Sequence, residues 1–109
     1  MGMLSKEEML QLRTSYIEIG KLVQKYGGYR QDTLKYLMSQ VECIDSDEDD
    51  KVKHQYLVQS YNGLFVYKGS LSDFVIYDSD ESKEVLRQLN KKLDKETKKV
   101  WKILKKYIL

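Results

Sequence analysis

No proline and no alanine occur among the 109 residues of this chain, and cysteine, histidine and tryptophan occur once each. Proline and alanine codons are GC-rich. Their absence beside abundant lysine and tyrosine resembles the output of an AT-rich bacterial genome or its mobile elements. A lone cysteine, Cys43, excludes an internal disulfide. Cys43 and His54 are also the only soft metal ligands, and two such residues cannot close a tetrahedral zinc site by themselves. No apolar run approaches the ~20 residues of a membrane span. The opening Met1-Gly2-Met3-Leu4-Ser5-Lys6 has none of the character of a signal peptide, and Lys6 stands where a myristoylation signal requires Ser or Thr. These absences together point to a cytoplasmic protein.

Catalytic chemistry is equally sparse. Cys43 lies between Val41 and Ile44 on a helical pattern, with no small-residue turn to present a nucleophile, so it reads as structural. His54 falls in a polar stretch and reads as an exposed helix residue. Asp45, Asp47 and Asp49 begin like a calcium loop, but Asp50 stands where the sharp turn requires Gly and Tyr56 where a bidentate Glu is needed. Asp78, Asp80 and Ser82 repeat the same false start and run out at Leu89. The expectation is a protein without enzymatic activity, bound metal or cofactor.

What the chain does contain is 33% charged and 41% hydrophobic residues, the balance of one globular domain over residues 1–109. Ser5 and Glu8 form a capping box ahead of Met9, Leu12, Tyr16, Ile19 and Val23, which recur at helical spacing until Gly27-Gly28 stops them. A second helix is expected from about Arg30–Asp32 to Ile44, antiparallel to the first because the connection is short. A third runs from about Lys51 to Tyr61 and ends at Asn62-Gly63. Leu64-Phe65-Val66-Tyr67 and Phe74-Val75-Ile76-Tyr77 then have the composition of two short strands. The six residues Lys68–Asp73 join them as a hairpin, or else lead an extended segment over the core. A long helix follows from Ser79–Ser82 to Tyr107. The predicted fold is mostly α (α+β): a bundle of about four helices with a short β-hairpin or extended segment before the C-terminal helix.

Charge is distributed unevenly along this fold. Glu42 to Asp50 carries six acids and no base, whereas Lys91 to Leu109 carries eight lysines against Asp94 and Glu96. Poles of this kind govern what a protein meets rather than how it folds. Asp45, Asp47, Glu48, Asp49 and Asp50 are therefore the candidate contacts for a cationic protein partner. The lysine-rich helix offers an alternative, a nucleic-acid-binding face through Lys98, Lys99, Lys102 and Lys105, although no arginine is present there to read bases. Trp101 and Tyr107 fit the buried stripe of that helix better than a stacking platform. Nine tyrosines suit both the rim of a small core and a partner-binding face.

The most distinctive local string is Gly69-Ser70-Leu71-Ser72-Asp73-Phe74-Val75-Ile76. Gly69, Ser70 and Asp73 suit a compact turn, after which Phe74 and Ile76 should face one way and Val75 the other. This string resembles the Gly-Ser-(Leu/Phe)-Asn-Asp-(Leu/Phe)-(Val/Tyr)-(Ile/Leu) motif of a small bacterial domain family, with Ser72 where Asn is commoner. The resemblance implies an immunity-like protein, a cytoplasmic module that occludes a secreted or contact-dependent toxin without performing chemistry itself.

Overall fold

The computed structural model describes residues 2–28, 30–66 and 74–108. The first helix, α1 (Lys6–Tyr26), starts as its sequence dictates. The Ser5 hydroxyl accepts the Glu8 amide and the Glu8 carboxylate accepts the Ser5 amide, both at 3.0 Å. Leu4 and Met9, the staple residues, are both buried. The buried face of α1 comprises Met9, Leu12, Tyr16, Ile19, Leu22 and Val23. The helix ends where the Gly27 amide donates to Val23, and Gly28 follows at φ 56°, a left-handed angle that favours glycine.

The second helix, α2 (Gln31–Asp45), returns antiparallel to α1. A Cβ at Gly20 would sit 2.8 Å from Met38 Cε, so the bare position on α1 gives room to the end of that methionine from α2. Asp49 then caps the third helix, α3 (Asp50–Gln59), its carboxylate accepting the Val52 amide at 2.9 Å. Asn62-Gly63 does not end this helix. The chain continues through a π-helical segment, Asn62–Val66. Two contacts explain the difference. A Cβ on Gly63 would lie 2.6 Å from the Tyr36 ring, so only glycine admits that ring from α2. Leu64 is fully buried, and Phe65 stacks on Tyr61 at 5.4 Å, four residues earlier. Tertiary packing thus overrides the β-propensity of the Leu64–Val66 run.

There is no β-strand among the described residues, and the hairpin expected over Leu64–Tyr77 is corrected accordingly. Tyr67 and the connector with the turn residues Gly69, Ser70 and Asp73 lie outside the described residues. The predicted alternation after them is present: Phe74 and Ile76 are 6% and 2% exposed, whereas Val75 and Tyr77 are 72% and 73% exposed. A single side chain takes the place of a second strand. Asn90 accepts the Ile76 amide at 2.8 Å and donates to the Ile76 carbonyl at 2.9 Å. The last helix, α4 (Lys83–Ile108), starts where the Ser82 hydroxyl accepts the Val85 amide. It lies antiparallel to α1, and Leu93, Val100, Ile103 and Leu104 face the core.

Both ends of the α1–α4 seam are tied. Near one end Lys92 pairs with Glu18 at 3.2 Å, and at the other Glu8 receives Lys106 Nζ and the Tyr107 hydroxyl, each at 2.7 Å. Burial opposes ionisation of Glu8, but the bonds from Lys106, the Ser5 amide and Tyr107 outweigh it and hold this carboxyl at about 2. His54 of α3 joins the same corner. Its ring meets Tyr107 edge-on at 5.0 Å, and its Nδ1 accepts the Leu4 amide at 3.0 Å, which leaves the ring proton on Nε2. His54 is therefore half-buried and structural, not the exposed residue its polar neighbours suggested.

One buried charged residue interrupts the seam among the described residues. Glu96 is 7% exposed, and its Oε2 is buried without a hydrogen-bond partner, while Oε1 reaches Lys99 at 3.3 Å. A half-satisfied buried carboxylate costs more than a hydrocarbon of similar size. Glu96→Leu should therefore stabilise the fold by about 1 kcal/mol and raise Tm by roughly 4–8 °C. A lower Tm in calorimetry would show that the carboxylate contributes to the seam. Glu8 gives a second expectation. A carboxyl held near 2 contributes stability that is present above its ordinary value of 4.5 and is lost as pH falls from there toward 2. Glu8→Gln should remove about 1–2 kcal/mol at neutral pH, and its deficit in urea denaturation should narrow as the pH is lowered below 4.5. A pH-independent deficit would refute the clasp.

Candidate docking surfaces

The acidic stretch divides between residues with structural duties and residues without them. Asp45 closes a two-bond pair with Arg13 of α1, at 2.8 and 3.0 Å, and this guanidinium holds the Asp45 carboxyl below its ordinary value. Asp49 is spent as the α3 cap. Asp47, Glu48 and Asp50 are exposed and have no ion pair among the described residues. Two of the five predicted contacts thus fasten the fold, and three are left to the solvent. One turn further along α3, Val52 and Tyr56 stand 42% and 41% exposed, with the Tyr56 hydroxyl donating to Ser39 Oγ at 3.0 Å.

The lysines of α4 divide in the same way. Lys92 and Lys106 are tied to α1, Lys98 pairs with Asp94 at 2.8 Å, and Lys99 pairs with Glu96. Lys91, Lys95, Lys102 and Lys105 are exposed and have no ion pair among the described residues. Together with Lys98 they recur every three or four positions on the side of α4 away from Leu93, Val100 and Ile103. The stripe spans about 21 Å at the helical rise. Of the four predicted nucleic-acid contacts, Lys98, Lys102 and Lys105 lie on it, whereas Lys99 is paired with Glu96 off the row; Lys99, Lys102 and Lys105 all border the α1–α4 groove.

That groove has a volume of about 700 Å³. Its walls include Glu8, Gln11, Lys102 and Ile103, and Thr14 there donates to its own helix at Leu10. Cys43 and His54 form no hydrogen bond with each other. Burial pushes the Cys43 thiol up, with Lys53 opposing and Glu48 adding to the rise. Asp78, in the second aspartate run, accepts the Asp80 amide at 2.9 Å, a turn rather than a ligand arrangement.

One feature escapes sequence reasoning. Tyr61, Phe65 and Trp101 form a ladder of tilted rings, with Tyr61 5.1 Å from Trp101 and 5.4 Å from Phe65. All three are half-buried, and with Thr97 and Lys98 they line a surface slot of about 260 Å³. Trp101 is thus at the edge of the core and not within its buried stripe. The signal was the four-residue spacing of Tyr61 and Phe65, which acquires meaning only when Leu64–Val66 is helical. Comparison of the chain with protein-family models, with curated proteins and with solved structures finds no match.

Proposed function

We propose that this chain is a non-enzymatic protein-binding module that docks a cationic partner through Asp47, Glu48, Asp50, Val52 and Tyr56. The observation that carries this reading is a set of three exposed carboxylates, without ion pairs among the described residues, that leads directly into α3, where Val52 and Tyr56 are exposed in turn. Carboxylates at the rim steer a positive partner during diffusion, and a tyrosine at the centre supplies contact area at little entropic cost. Further support comes from the raised Cys43 thiol and from the engagement of the His54 Nδ1 by the backbone, which leave no activated nucleophile beside a free base in that pair. The resemblance around Gly69 to Ile76 narrows the role to an immunity or antitoxin-like protein of the bacterial cytoplasm, one that inhibits a toxin by covering it.

The test begins with a partner captured by the immobilised chain and identified by mass spectrometry. Association and dissociation are then followed by surface plasmon resonance at about 25 and about 250 mM salt, which changes the screening length several-fold. The combined change Asp47→Asn, Glu48→Gln and Asp50→Asn should slow association by about tenfold at low salt and hardly at all at high salt. Tyr56→Ala should instead speed dissociation by about tenfold or more. Unchanged rates in both variants would exclude this surface.

A further inference from the structure

We infer that α4 and the turn and π-helical segment that follow α3 form a second binding site, for single-stranded nucleic acid, independent of the acidic docking surface. Lys91, Lys95, Lys98, Lys102 and Lys105 stand in one row about 21 Å long, and four of them have no carboxylate to neutralise them among the described residues. A row of ammonium groups four to six ångströms apart along the axis suits the spacing of phosphates along an extended strand, which such a groove can track for roughly four nucleotides or more. Lysines alone would take any polyanion. The aromatic slot adds the distinction, because Lys98 belongs to the row and also lines the slot with Tyr61, Phe65 and Trp101. A strand whose phosphates follow the row places a base beside that slot. The slot's 260 Å³ admits a flat ring, and the tilted rings of Tyr61, Phe65 and Trp101 extend the stack. A duplex cannot use this arrangement, since its bases are already stacked and paired. The row has no arginine to read a groove edge.

Trp101 is the only tryptophan, so its fluorescence reports on the slot directly. Oligo(dT) and oligo(U) of about twelve nucleotides should quench it at low salt, with log K falling against log salt at a slope of about −2 to −3. Phe65→Leu keeps an apolar side chain of somewhat smaller volume but removes a ring face, and should weaken binding by about five- to tenfold. Combined Lys91→Gln, Lys95→Gln, Lys102→Gln and Lys105→Gln, all at exposed positions, should abolish binding while leaving the circular dichroism melt in place. The Asp47→Asn, Glu48→Gln, Asp50→Asn variant should bind oligonucleotide as the wild type does, which separates this site from the acidic one. Absence of quenching at low salt would overturn the inference. So would equal affinity for a duplex, or for poly-glutamate, the latter marking the row as a surface for acidic protein.

Discussion

The antiparallel seam between α1 and α4 is the constraint from which the rest of the molecule follows. Fully buried residues such as Leu12, Tyr16, Ile19, Val100 and Leu104 lie along or beside it. Each buried aliphatic side chain contributes roughly 1.5–3 kcal/mol, whereas an exposed ion pair contributes about 0–1. The seam therefore holds the helices, and the pairs at Glu18–Lys92 and Glu8–Lys106 fix their alignment. Glu96 belongs to the same arrangement. A polar residue in an apolar seam lowers stability and is tolerated where it discourages other alignments.

Surface chemistry is a by-product of that alignment. Once Leu93, Val100 and Ile103 turn inward, helical periodicity leaves Lys91, Lys95, Lys98, Lys102 and Lys105 no direction but outward. Lys92 and Lys106 fall at the margins and are recruited to α1. The acidic stretch shows the same economy. Asp45 reaches Arg13 and Asp49 caps α3, so the formal charge of the Glu42–Asp50 run overstates what a partner would meet. Charge counted along a sequence is an upper limit, and the folded surface shows the remainder.

Much of the helical architecture could be read from residue spacing because its signals are local. The Ser5/Glu8 box, the Gly27-Gly28 stop and the leucine stripe of α4 each declare themselves within one or two turns. The failure at Leu64–Val66 is non-local. Whether β-branched and aromatic residues there join a strand or prolong a helix depends on Tyr36, which comes from α2 and needs Gly63 bare. The same dependence hid the ring ladder, since Phe65 belongs to it only in the helical form. His54 was misjudged for a related reason: its partners, Leu4 and Tyr107, lie about fifty residues away in either direction.

The attachment of Ile76 to Asn90 has a consequence for how this domain tolerates change. A strand bound along a ladder has a register, and an inserted residue throws every later side chain to the wrong face. Here one carboxamide grips one peptide unit, at 2.8 and 2.9 Å, and no ladder runs beside it among the described residues. Residues gained or lost between Tyr77 and Lys83 leave Phe74 and Ile76 on their buried side, because the grip is on Ile76 itself. The stretch between Ile76 and α4 is thereby a place where descendants of this chain can vary in length while the helical body stays as it is.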